Sequence, residues 1–315
     1  MRFLIKRIGS ILILSLIIFL AACNSEEASQ SDDGKINVVT TISQLGDSIS
    51  VIGGDRVEVE SLMGPSIDPH LYNATQSDIA TIEEADVIFY NGLELEANMI
   101  RIFEEIGQSK PVLAVGETIP EDSILEDEEE AGADDPHIWF DIDLWKQGLD
   151  AAVEELKQYS PEDADYFEAN KQEYFTELDQ LNEESEEKLA AIPEEQRVLV
   201  TAHDAFGYFG KKYDIEVIGL QGLSTEDEVG ISNITETIEI IKEREVPAIF
   251  IESSISEDTI QAVIEGAESD GVNVSLGGEL FSDAMGEPGT DEGTYIGMYR
   301  HNVDTIYEAL SEGAE

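Results

Sequence analysis

The sequence predicts an α/β protein of two lobes, each a parallel four-stranded sheet flanked by helices, joined by one long rigid helix. Short apolar segments alternate with helical stretches along the chain, the pattern of parallel sheets with crossover helices. The strand candidates form two groups of four, and between them runs one helical stretch longer than a single lobe needs. A hydrophobic fraction of 42%, with 11 Phe, 10 Tyr and 2 Trp, supplies a sizeable core despite the charge, and 315 residues allow about two domains.

The first segment, 1–22, reads as an export signal. Arg2, Lys6 and Arg7 precede the apolar run Ile8 to Ala22, which at about 15 residues is short for a membrane span. Its end, Leu20-Ala21-Ala22-Cys23, resembles the lipobox of bacterial lipoproteins, which implies lipidation at Cys23. A polar tether, 23–35, follows. The mature chain is therefore expected to start at Cys23 and to sit outside the cell membrane, held to its outer face by acyl chains.

The first lobe, 36–159, carries strand candidates Ile36 to Thr41, Val57 to Leu62, Val87 to Tyr90 and Val112 to Val115, then an amphipathic helix from Trp145 to Tyr159. Ser160-Pro161-Glu162-Asp163 then supplies an N-cap, a first-turn proline and acids at the positive end of a helix dipole. In the bridging helix, 160–192, Ala164, Phe167, Tyr174, Leu178, Leu181 and Leu189 recur mostly at three-, four- or seven-residue steps, and Pro193 marks the end. At 1.5 Å per residue it spans about 45 Å, enough to join two lobes. The second lobe, 193–315, carries strand candidates Arg197 to Thr201, Glu216 to Gly219, Ala248 to Glu252 and Val272 to Leu276.

Charge excludes several functions. With 70 Asp and Glu against 17 Lys and Arg, a net charge of −53 repels phosphate backbones and anionic membrane surfaces, so no nucleic acid is expected as a partner. One cysteine forms no internal disulfide and no CxxC zinc or redox motif. The acids are spread along the mature chain, which fits a solvation device for a saline or alkaline habitat better than a steering field; at ~1 M salt the Debye length is roughly 3 Å. The densest run, Glu121 to Asp135, reads as a flexible, histidine-free surface loop.

Four histidines remain to be weighed. His70 stands in Asp68-Pro69-His70, His137 in Asp135-Pro136-His137, and His203 in Thr201-Ala202-His203-Asp204 after a buried-looking strand. Each lies at a turn, and proline stiffens the loops presenting the first two. Ligands bind open α/β sheets beyond the carboxyl ends of strands, where His70 and His203 fall. His301, on the last helical stretch, reads as structural. Glu252, ending a strand, reads either as a group fixing an imidazole or as an ordinary buried carboxylate.

Asp68-Pro69-His70, Asp135-Pro136-His137-Ile138-Trp139, the run Thr201 to Phe209, Gly219 to Thr225, Gly278-Glu279-Leu280-Phe281-Ser282-Asp283-Ala284-Met285 and Gly293 to Met298 span nearly the whole mature chain. Together they resemble the zinc- and manganese-binding lipoproteins of bacterial metal ABC importers, the TroA-like cluster A-I substrate-binding proteins. The resemblance implies two α/β lobes, one rigid long helix and a divalent metal in the cleft. It makes His70 and His137 the ligands from the first lobe, and His203 and Asp283 those from the second. Three imidazoles and a carboxylate suit Zn²⁺ or Mn²⁺. Partners follow: an ABC permease, its separate ATPase and the ion itself, with the protein acting as a monomer, without catalytic cofactor and not as an enzyme.

The cargo is expected to be Mn²⁺, with Zn²⁺ as the alternative. Some relatives place a glutamate where this chain has His203, a set associated with manganese, so His203 leaves zinc open. Zinc-dedicated relatives often carry a histidine-rich loop before the second ligand, whereas this stretch is acidic. Two other classes stand beside transport: a metal hydrolase with an open coordination position, and a cell-adhesion or sensor lipoprotein with a structural metal. Against the first, the chain has no HExxH, GxSxG or P-loop motif. Because ligands bind deprotonated, affinity is expected to fall as pH drops through the ordinary histidine range near about 6.5.

Overall fold

The structure is a computed structural model describing residues 34–126, 132–226 and 229–311. The signal segment and Cys23 lie outside these residues, as does the tip of the acidic loop, 127–131. No helix among the described residues is long and apolar enough to cross a membrane.

The first sheet consists of β1 (Ile36–Thr40), β2 (Val57–Ser61), β3 (Val87–Tyr90) and β4 (Val112–Ala114), all parallel, in the order β2-β1-β3-β4. Position in the sheet explains the burial. Central β3 is buried at Val87, Ile88 and Phe89, whereas edge strand β2 alternates, with Glu58 and Glu60 facing solvent. Helices α1 (Ser43–Gly53), α2 (Gln76–Glu84) and α3 (Ile100–Ile106) connect these strands. After β4 the chain enters the acidic loop, whose arms are fixed: Glu126 and Asp134 form an antiparallel bridge, and the Leu125 amide donates to the Tyr208 hydroxyl (3.1 Å). These contacts tie the described arms of the loop to each other and to Tyr208. A 3₁₀ turn, Ile138–Phe140, then leads into α4 (Ile142–Tyr159), capped by the Asp141 carboxylate accepting from the amides of Asp143 and Leu144.

The bridging helix, α5 (Ala164–Leu189), is 26 residues long, or about 39 Å. It is shorter than the sequence suggests because Pro161–Asp163 forms a 3₁₀ turn. The Ser160 hydroxyl bonds to the Asp163 carboxylate (2.9 Å) and caps no backbone amide. One buried stripe, Phe167, Lys171, Tyr174, Leu178, Leu181, Ser185 and Leu189, packs α5 against α1 and α4 and, on the far side, the C-terminal helix. Lys171 is tolerated there because its ammonium pairs with Asp150 (2.6 Å) and Glu168 (2.9 Å).

Beyond it come β5 (Val198–His203), α6 (Gly207–Tyr213), β6 (Glu216–Gln221), α7 (Ile231–Arg244), β7 (Ala248–Glu252), α8 (Asp258–Ser269), β8 (Ser275–Leu280) and α9 (Tyr295–Ser311). The sequence predicts one four-stranded sheet here. Instead the strands form two parallel ladders, β5 with β6 and β7 with β8, and β5 lies beside β7. A register shift at Ile249/Phe250 interrupts the second ladder. β8 also starts three residues later than expected, at Ser275, and runs past the expected end at Leu276 to Leu280, because Gly277 and Gly278 sit inside the strand rather than ending it. A Cβ on Gly277 would lie 2.6 Å from the Phe250 ring, and Gly278 has φ +139°.

Two buried clusters result. One lies within the second lobe around Val200, Ile249 and Val263. The other runs through both lobes and takes in Phe89, Trp145, Leu178, Phe209 and Tyr299. At the seam Phe140 stacks on Phe206 with centroids 4.5 Å apart, and the Tyr295 hydroxyl donates to the Trp139 carbonyl (2.7 Å). Wide opening would break this shared core.

Candidate metal centre

The four expected ligands arrive on four different segments, three on connections and one at the end of a strand. His70 lies between β2 and α2, where the Asp68 carboxylate accepts the His70 amide (2.9 Å) in an Asx turn. The second Asp-Pro-His frame repeats this: Asp135 Oδ1 accepts the His137 amide (2.9 Å) and also faces ring Nδ1 at 2.8 Å. His203 ends β5, and Gly219 of the paired strand β6 leaves room for the backbone just beyond it; a Cβ on Gly219 would meet the Asp204 amide nitrogen at 2.5 Å. Its own amide donates to Glu252 Oε1 (2.8 Å), and its Nδ1 lies 2.5 Å from Oε2. Asp283 follows β8, its approach held by Asn302, which donates to the Phe281 carbonyl (2.7 Å) and accepts the Phe281 amide (2.9 Å).

The free ends of these side chains converge. Ligand atoms of His70, His137, His203 and Asp283 lie within 4.8 Å of one another, and all four residues are buried. His137 Nε2 is 3.4 Å from Asp283 Oδ1, while His203 Nε2 and His70 Nε2 lie 3.3 and 3.8 Å from Oδ2. Bonds of about 2.0–2.1 Å in a tetrahedron give ligand separations of about 3.3–3.4 Å, so the spacing suits one small cation. The three Nε2 atoms and both Asp283 oxygens have no hydrogen-bond partner. Burying so many unpartnered polar atoms is costly, and a shared cation satisfies them together.

Electrostatics divide the imidazoles. Burial pushes His70 down to about 3, so it stands neutral with a lone pair ready. For His137 burial opposes the charge, but the carboxylates of Asp135 and Asp283 outweigh it and push the ring up to about 9. His203 is likewise raised well above its ordinary range, burial being overcome by Glu252 and Asp283. Burial works against the Asp283 charge too, yet His203 and His137 hold it well below the usual carboxylate range. The ordinary histidine range near 6.5 therefore does not govern the site, a correction to the expected pH dependence.

His301 lies outside this cluster; its Nε2 faces the Glu279 carbonyl at 3.0 Å, tying α9 to β8. Glu252 takes the first of its two readings by orienting His203. The sequence reasoning missed Asp135, although its position two residues before His137, matching Asp68 before His70, was visible. It also missed the Asn91 side chain donating to the Pro136 carbonyl (2.9 Å) and the Asn98 side chain donating to the His70 carbonyl (3.2 Å). No local signal marks these, since sequence distance hides the contact.

Fold and cage together define a class: two-lobed α/β proteins that enclose one small ligand between their lobes. The chain belongs to the ZnuA family, zinc-uptake complex component A, periplasmic, whose model matches residues 38–309. Membership makes it a component of an uptake complex and not an enzyme, so the hydrolase alternative falls. It is 46% identical over 291 residues to the manganese-binding lipoprotein MntA of Bacillus subtilis, covering 92% of this chain and 95% of that one. It is 45% identical over 293 residues to the zinc-binding protein TroA of Treponema pallidum, covering 93% and 94%. The solved structure of that periplasmic TroA superposes with a TM-score of 0.86 at 46% identity, over 88% of this chain and all of that one (100%).

Proposed function

We propose that this chain captures one divalent cation, Mn²⁺ ahead of Zn²⁺, and delivers it to an ABC permease served by a separate ATPase. The observation that carries the reading is the convergence of His70, His137, His203 and Asp283 as buried, unpartnered ligand atoms within 4.8 Å. Both ions suit three imidazoles and a carboxylate, and zinc binds more tightly at almost any such site, so affinity alone does not name the cargo. Manganese is favoured because the loop before His137 is acidic and holds no histidine, and a relative at 46% identity is called manganese-binding. Zinc stays the second reading because a relative at 45% is called zinc-binding.

The four residues act as ligands, and the ion is cargo. Delivery proceeds by small adjustments around the cage, since both lobes share one hydrophobic cluster along α5. Segment 1–22 serves as signal peptide, acylated Cys23 and the tether 23–35 hold the protein to the outer face of the membrane, and lobes 36–159 and 193–315 work as a monomer around the bridge. Leu20-Ala21-Ala22-Cys23 and the relatives' description as lipoproteins support the anchor. A calorimetric titration of the metal-stripped soluble chain, 24–315, with Mn²⁺ and with Zn²⁺, then in competition, tests the reading. One ion per chain, lost in His203→Ala, is expected; no saturable site for either ion refutes capture.

A further inference from the structure

Asp283 is the one carboxylate of the cage, and its main chain is held from the opposite lobe. Gln44, the second residue of α1, is wholly buried. Its Nε2 donates to two successive carbonyls, Ser282 (3.2 Å) and Asp283 (3.1 Å), across more than two hundred residues of sequence. The Trp139 ring donates Nε1 to the same Ser282 carbonyl at 3.2 Å. Trp139 follows His137 by two residues, and its ring packs edge-on to that imidazole with centroids 5.2 Å apart. The segment bearing the carboxylate is thereby fastened to first-lobe groups, one of them beside a second ligand.

Building on the metal-capture reading, we infer that Gln44 is a positioning residue that fixes the Asp283 carboxylate across the lobe seam and thereby sets the balance between Mn²⁺ and Zn²⁺. The chemistry of the donor set supplies the link. Imidazole suits zinc, whereas manganese prefers oxygen ligands. In a cage of three nitrogens and one carboxylate, the hard ion depends most on the group that Gln44 holds. Loosening Asp283 leaves three imidazoles in place, a set that by itself retains zinc. Gln44 touches no ligand atom and acts only through the backbone of Ser282 and Asp283.

The test compares Mn²⁺ and Zn²⁺ dissociation constants, by competition titration, in the parent chain, Gln44→Met and Trp139→Phe. Methionine keeps the length and flexibility of glutamine and removes both donated hydrogen bonds; phenylalanine keeps a ring and removes the third. Losing two bonds to the segment is expected to weaken Mn²⁺ binding about tenfold. Zn²⁺ is expected to weaken no more than about threefold, with one ion still bound per chain. Trp139→Phe is expected to move the Mn²⁺ to Zn²⁺ ratio in the same direction, which keeps the proposal testable if the first variant fails to fold. Unchanged affinities, or equal losses for both ions in the variants that fold, overturn the positioning role. A parent chain that binds neither ion instead overturns the capture reading on which it rests.

Discussion

Metal binding to this cage must expel protons, and their number follows from the site. At pH 7 His137, raised to about 9 by Asp135 and Asp283 against its burial, carries a proton in the empty cage, as does the strongly raised His203. His70, lowered to about 3, carries none, and Asp283 is ionised. A cation that takes all three Nε2 lone pairs therefore displaces about two protons. Two displaced protons make the apparent Kd fall about a hundredfold per pH unit near pH 7. Calorimetric titrations in two buffers of different ionisation enthalpy count the protons directly. Release of less than about one proton at pH 7, or a binding curve that flattens above pH 6.5, refutes the electrostatic assignment. The metal-free fold responds with the opposite sign. Raised from 6.5 to about 9, His137 stabilises the empty fold fully below pH 6.5, and that contribution is lost as pH rises through about 9. Asp283, with its depressed value, contributes above its ordinary range near 3.8 and loses that contribution only as pH falls well below it. Thermal melts of the metal-free protein should thus drop from pH 6.5 to 9 while metal affinity rises.

Other perturbations isolate single links. Glu252→Gln removes the carboxylate charge that holds His203 in place and is expected to cost about 10–100-fold in metal affinity at unchanged stoichiometry, read by titration. Gly219→Ala forces a Cβ against the Asp204 backbone one residue beyond His203, so binding should weaken while far-ultraviolet circular dichroism stays that of the parent. Leu178→Ala opens a cavity in the buried stripe of α5 and should destabilise the fold by about 2–5 kcal/mol in urea denaturation. Excess metal should offset part of that loss, by about 2.7 kcal/mol at one hundred times Kd.

Much of this protein was written locally. Alternating apolar strands and helical stretches gave the α/β class, and the period of Phe167, Tyr174, Leu178, Leu181 and Leu189 marked the bridging helix, because side-chain period reports secondary structure directly. The Asp-Pro-His frames pointed to His70 and His137 for a similarly local reason, since an Asx turn spans two residues. Tertiary structure alone decided what distant segments do to one another. It split the second-lobe strands into two ladders and carried β8 through Gly277 and Gly278, where Phe250 and Thr305 leave no room for a side chain. It gave His137 and His203 their carboxylate partners and left His70 without charge, although all three are the same residue. It also set Gln44 under Asp283. Sequence fixes which groups are available, whereas burial and the dielectric around each group depend on which other segments fold over it.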